Sequence, residues 1–185
     1  AVGVAMIVIG AVYAAAESDL RRTAAYALTA QTGVCVALIG VGSPLALAAA
    51  EGHAFAAILA FAALQMVFGA VLERRGGADF AALAGLSRAM PITTLLLLVA
   101  GLAAAGIPGF AVYATHTVAL EAVAQWELRG VWLCIMALPA VLMVALALRP
   151  ALAAYRAAPA GPIEEAPFPM LLGAGLATFL CLSIG

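Results

Sequence analysis

The chain alternates between long apolar runs and short polar segments. The runs predict helices at about residues 1–16, 24–42, 45–72, 90–126, 131–148 and 170–184. About 20 apolar residues are enough for a helix to cross the hydrocarbon layer of a bilayer. The pattern therefore predicts an all-α integral membrane protein, with one membrane domain over residues 1–185 and a bundle of about six transmembrane helices.

The first run is shorter than the others. Ala1 to Ala16 would extend only about 24 Å as a helix, less than the roughly 30 Å hydrocarbon layer. The run has no basic flank of the kind that precedes a signal peptide, and the chain opens on Ala1 rather than Met. We therefore expect an incomplete N-terminus.

The fourth run contains a helix break. Pro108 lacks a backbone donor, and Gly106 and Gly109 loosen the chain on both sides of it. Broken helices at membrane depth are tolerated where protein or a water-filled cavity satisfies the freed backbone groups, and they often lie on ion or substrate paths. A simple kink is the alternative, because proline and glycine are common in membrane helices.

Composition supports a membrane protein and excludes several functions. Hydrophobic residues make up 67% of the chain and charged residues 9%, so lipid must be the solvent. All basic residues are arginines and the net charge is −1, which argues against nucleic-acid binding. The three cysteines are isolated in apolar runs and read as small hydrophobic residues. We find no motif for a catalytic site, a metal site or a cofactor, so the chain is not expected to be a catalyst alone.

Arginine placement predicts the orientation in the membrane. One arginine, Arg129, follows an even-numbered helix, whereas the loops after the first, third and fifth helices hold Arg21, Arg22, Arg74, Arg75, Arg88, Arg149 and Arg156. Cytoplasmic loops carry an excess of arginine and lysine. We therefore expect the arginine-rich loops to be cytoplasmic, in a bacterial inner membrane, with Arg21, Arg22, Arg74 and Arg75 as loop anchors.

Two sequence stretches carry a family resemblance. The first, ESDLRRTAAYALTAQTG, has an acidic-Leu-basic-Arg loop that leads into a helix, with matches at Asp19, Leu20, Arg22, Ala25, Tyr26, Gln31 and Gly33. The second has Gly-Ala, Gly-Leu, Met-Pro and Gly-Ile-Pro signals in order, at Gly69, Arg74, Asp79, Gly85, Leu86, Met90, Pro91, Gly106, Ile107 and Pro108. Together they resemble the antiporter-like subunits of respiratory complex I (NADH-quinone oxidoreductase) and of Mrp-type cation/proton antiporters.

The resemblance implies a fold and a set of titratable positions. It covers the second of the family's two inverted repeats and the helix after it, so the first repeat is absent from this sequence. The family's broken helix continues to a membrane-embedded Lys or Glu, and a count without gaps places His116 there. On the third helix, His53, Ala57 and Phe61 stand where the family commonly has His, His and Lys.

The remaining polar candidates have two readings each. His116 is either a proton carrier or a neutral hydrogen-bonding residue. For His53, which lies near Glu51 and a helix end, a capping or interfacial role is favoured over a relay. Glu121 lies about 140° around the helix from His116. An interfacial position close to Glu127 and Arg129 is favoured for it over a second polar station.

Two functions follow from these observations. In the first, the chain is an antiporter-like subunit, or a fragment of one, of a proton- or cation-translocating respiratory complex, and it contributes a half-channel in which His116, Gln31 and His53 relay protons. In the second, it is a degenerate structural or assembly subunit that does not pump. Its expected partners are other membrane subunits, lipid, and protons or monovalent cations.

Overall fold

The computed structural model describes residues 1–77, 79–124, 130, 134, 144, 147–156 and 164–185. Over these ranges the protein is all-α, without a β-strand. The helices are α1 (Val2–Ala16), α2 (Leu20–Val41), α3 (Pro44–Arg75), α4 (Leu86–Ala89), α5 (Pro91–Ala104), α6 (Ala111–Ala124) and α7 (Phe168–Ile184). A 3₁₀ turn covers Ala81–Leu83, and the chain is also helical at 147–154.

Local signals explain where α2 and α3 begin. The Asp19 carboxylate accepts hydrogen bonds from the backbone N–H groups of Arg21 and Arg22, at 2.9 and 3.1 Å. The α2 helix thus starts at Leu20 rather than near residue 24, because the two arginines form its first turn. Ser43 caps α3 in the same way, and Pro44 occupies its first position.

The helices differ in length relative to a bilayer. Leu20–Val41 and Pro44–Arg75 are long and apolar enough to cross a membrane, whereas Val2–Ala16 and Phe168–Ile184 are shorter apolar helices. The segment Ala81–Ala89 and Pro91–Ala104 meet at a bend of 118° and pass the same test only together. The predicted helix at 131–148 lies almost wholly outside the described residues. Its expected end at 148 is wrong, because the chain remains helical through residue 154 and buries alanine side chains there.

The predicted helix at 90–126 is divided into α5 and α6. The backbone N–H groups of Gly106 and Ile107 bond to the carbonyls of Ala103 and Leu102, and Gly106 has a φ of 67°. These two bonds and the left-handed glycine form a Schellman motif, which ends α5. Gly109 has a φ of 96°, and the helix resumes at Ala111.

Tight packing holds α1 against α2. A Cβ at Gly10 would lie 2.7 Å from the backbone nitrogen of Ala30, and a Cβ at Gly33 would lie 2.7 Å from that of Ile7. No side chain fits at either position, so these glycines set the distance between the two helices.

The buried apolar side chains form two clusters. One includes Phe61, Phe68 and Leu97, and the other includes Leu38 and Ala119. On α2, α3 and α6, the polar residues described below lie between members of these two clusters. They therefore form a polar layer within an apolar bundle.

The arginine-bearing loops meet at one end of the bundle. Arg149 donates to the carbonyl of Ala15 at 3.0 Å, and its guanidinium lies 4.5 Å from the ring centroid of Phe80. Arg75 donates to the carbonyl of Ala84, and the carbonyl of Arg156 accepts from Gly85. The loops after α1 and α3 and the segment 147–156 thus share one end. Arg129 lies outside the described residues.

Candidate functional site

His53 is the most enclosed polar side chain at the crossing of α2, α3 and α6. Its exposed fraction is 0%, and it lies nine residues after Pro44, about 14 Å along α3. Its Nε2 is 3.1 Å from Oε1 of Gln31 on α2, and its Nδ1 is 3.1 Å from Oγ1 of Thr115 on α6. One imidazole therefore connects three helices.

His116 lies beside this imidazole. The ring centroids of His53 and His116 are 5.7 Å apart and the rings are tilted by 53°. His116 is half-buried and lies on the first turns of α6, just after the break. Gln31, His53, Thr115 and His116 are called the imidazole cluster below.

The break and a glycine bring α6 to this position. Thr115 lies one turn into α6, so the end of α5 determines where its hydroxyl sits. Gly52 on α3 faces Thr115, and a Cβ there would be 3.3 Å from the Thr115 methyl group. The absence of a side chain at Gly52 lets α6 approach α3 closely enough for the hydrogen bond to His53.

The sequence-based preference for His53 at an interface is wrong. Glu51, two residues earlier, is exposed, but His53 points inward and is covered by α2 and α6. Distance from the helix end was a poor guide, because the rotation of α3 decides which of the two side chains enters the bundle.

The other polar candidates lie away from the imidazole cluster. Glu121 is exposed on the outer side of α6, and its expected neighbours Glu127 and Arg129 lie outside the described residues. Thr32 and Thr94 donate to carbonyls of their own helices, at Leu28 and Met90. Among the described residues, no three His, Cys, Asp or Glu side chains come together as a metal site would require.

The next two turns of α3 lack polar groups. Ala57 and Phe61, the positions at which the resemblance implies further proton carriers, are each 2% exposed. Phe61 lines a cavity of about 20 Å³, hardly more than one water requires. The lining is almost entirely apolar and includes Leu64, Phe68, Ala104 and Ala147.

Sequence reasoning missed Thr115 and Glu165. The Glu165 carboxylate accepts from the backbone N–H groups of Ile92 and Thr93, at 2.8 and 3.3 Å, and from the Thr93 hydroxyl. It therefore caps α5 from a loop 72 residues away. Partial burial raises the pKa of Glu165, but these hydrogen bonds outweigh it, so the pKa lies below its usual value. Neither residue has a distinctive sequence signal, since each stands among several residues of its own type.

Comparison with known proteins gives a consistent result. Residues 1–143 match the family model described as "NADH:quinone oxidoreductase/Mrp antiporter, TM". A probable K(+)/H(+) antiporter protein of Rhizobium meliloti (strain 1021) is 36% identical over 106 residues, which are 57% of this chain and 11% of that protein. "NADH-quinone oxidoreductase subunit N 2" of Acidobacterium capsulatum is 34% identical over 142 residues, which are 75% of this chain and 28% of that protein.

A solved structure agrees with the sequence matches. A chain in the structure of the Mrp complex from Dietzia sp. DQ12-45-1b superposes with a TM-score of 0.82 at 28% identity, over 99% of this chain and 20% of the other. The chain thus spans less than a third of the length of each of these three proteins. It belongs to the NADH:quinone oxidoreductase/Mrp antiporter family of integral membrane proteins.

Proposed function

We propose that the chain is part of an antiporter-like subunit of a proton- or cation-translocating membrane complex, in which the imidazole cluster holds and passes protons within a half-channel. The proposal includes the six-helix bundle and its correspondence to the second inverted repeat. It also includes an inner-membrane location with the arginine-bearing loops in the cytoplasm, and other membrane subunits as partners.

The burial and bonding of His53 are the observation that carries this proposal. An ionisable side chain inside a membrane bundle is costly and is usually retained for a function. A histidine also changes its charge near neutral pH, and both nitrogens of His53 have hydrogen-bonding partners. A second imidazole lies beside it, so a proton on one ring has a neighbouring group that could receive it through a single water.

A structural or assembly subunit is the second candidate. The observation that favours it is the apolar layer formed by Ala57, Phe61 and the cavity beyond them. A proton path needs successive titratable groups or waters within hydrogen-bonding reach, and this layer supplies neither on the described part of α3. In this reading, the imidazole cluster locks α2, α3 and α6 together by hydrogen bonds.

Replacement of His116 by alanine separates the two candidates. His116→Ala is introduced into the whole subunit, and the assembled complex is reconstituted into vesicles that carry an internal pH-sensitive dye. Transport predicts a loss of proton flux of at least about tenfold with normal assembly, because a general acid or base typically contributes a factor of about 100 or more. Unchanged flux together with weakened assembly would reject the transport role and support the structural one.

A further inference from the structure

The hydrogen-bonding groups around His53 cannot all be satisfied by one fixed arrangement. Besides its contact with His53, the Thr115 Oγ1 lies 3.0 Å from the carbonyl of Ala111 and 3.1 Å from that of Val112. A threonine hydroxyl has one proton to donate. When that proton is on a carbonyl, Oγ1 can only accept from His53, so Nδ1 must carry a proton.

Gln31 places a different demand on the other nitrogen. Its Oε1 faces His53 Nε2 at 3.1 Å and is an acceptor only, so this nitrogen must also carry a proton. A neutral imidazole has one N–H, and both nitrogens are donors only in the protonated ring. The arrangement in the structure therefore fits a protonated His53.

Rotation of one amide adapts the same groups to a neutral ring. If the Gln31 amide turns by 180° about its terminal bond, its N–H₂ group faces Nε2 and donates to the bare nitrogen. Nδ1–H still donates to Thr115, which still donates to a carbonyl of its own helix. The alternative for a neutral ring, with Thr115 donating to Nδ1, makes one hydrogen bond fewer because the hydroxyl must leave its carbonyls.

We propose that Thr115 is a positioning residue that keeps the His53 proton on Nδ1, and that the Gln31 amide turns over whenever Nε2 gains or loses a proton. This rests on and deepens the proposed proton-carrying function. On uptake, an O–H bond of a hydronium ion breaks and an N–H bond forms at Nε2, leaving water. Release reverses both changes. Every polar group of the three side chains stays hydrogen-bonded in both states, so the exchange avoids the cost of a buried unsatisfied group.

The tautomer of neutral His53 tests this inference without any transport measurement. The whole protein is labelled with ¹⁵N-histidine, and the His53 signals are assigned by their disappearance in His53→Gln. The wild type and the conservative variant Thr115→Ser are expected to hold the proton on Nδ1. In Thr115→Val an Nδ1 proton would face a methyl group, so the tautomer ratio should shift toward Nε2–H by about tenfold, the worth of one net hydrogen bond.

Gln31→Leu provides the second variant. It removes the partner of Nε2 and leaves Thr115 in place, so neutral His53 should keep its proton on Nδ1. An Nε2–H tautomer in the wild type, a Thr115→Val ratio equal to that of the wild type, or a tautomer change in Gln31→Leu would overturn the inference.

The two proposals fail separately. Normal proton flux in His116→Ala, together with the expected tautomers, would reject transport and leave the hydrogen-bond switch standing. Lost flux with the wrong tautomers would do the reverse.

Discussion

His53 and Phe61 lie two turns apart on α3 and are almost equally buried, yet their surroundings differ completely. Around His53, three helices supply hydrogen-bonding partners for both ring nitrogens. Around Phe61 the neighbouring side chains are almost entirely apolar, and the space left holds about one water. Burial therefore defines neither layer, and the partners from neighbouring helices decide whether a position in this bundle can hold a proton.

Removal of the Phe61 ring should have the largest effect on stability. Phe61→Ala enlarges an existing cavity that lipid or water cannot fill favourably, and we expect it to lower the free energy of unfolding by about 3 to 5 kcal/mol. Thermal unfolding in detergent measures the loss. Phe55→Ala on the same helix is the matched control, because Phe55 is 59% exposed and its removal should change stability little. Equal losses in the two variants would show that the apolar layer is not packed as described.

Removal of the His53 imidazole should have a smaller effect of a different kind. His53→Leu keeps the bulk but leaves the buried Gln31 amide without its partner, which should lower the free energy of unfolding by about 1 to 3 kcal/mol. The double variant His53→Leu/Gln31→Leu should recover part of that loss, because both partners become apolar. Additive losses in the double variant, measured by the same unfolding experiment, would mean that the two side chains are not coupled.

Glu165 offers a third, water-accessible polar contact for comparison with the two buried layers. Glu165→Gln removes a charged cap from α5, and we expect a loss of about 1 kcal/mol at neutral pH. Since the folded state holds the pKa of Glu165 below its usual value, this stabilisation is complete above that value and is lost as the pH falls through the folded pKa. Unfolding at pH 7 and pH 3 should therefore show a difference between wild type and variant only at pH 7.

The neighbouring carboxylate is the control for that experiment. The Glu164 side chain is 89% exposed and pairs with Arg74 at 3.8 Å. Exposed pairs of this kind contribute little, so Glu164→Gln should leave stability nearly unchanged at both pH values. A loss as large as that of Glu165→Gln would assign the effect to the charge of the loop and not to the cap on α5.

Local rules were enough to predict the helices and their interruptions. Apolar runs marked α2, α3 and the two halves of the broken helix, and Gly106 ended α5 as its lack of a side chain allows. The start of α2 was missed because Arg21 and Arg22 read as a loop, although Asp19 caps them into the helix. Such errors concern one turn and do not change the arrangement.

The site depended on information that sequence patterns lack. His53 and His116 were identifiable as rare titratable residues in apolar runs, but the position of His53 inside the bundle follows from the rotation of α3 against α2 and α6. Thr115 is one of several threonines and gains its role only because the break places it beside His53. Glu165 meets α5 through tertiary contact across a loop, and no local motif marks such a contact.

Proton flux with and without the His53 imidazole tests the central claim most directly. His53→Gln keeps polar groups in the cluster but cannot take up a proton, and the reconstituted complex carrying it is compared with the one carrying Phe55→Ala. The proposed function predicts that His53→Gln assembles normally and loses at least about tenfold in proton flux, whereas Phe55→Ala transports like the wild type. Wild-type flux in a normally assembled His53→Gln complex would contradict it.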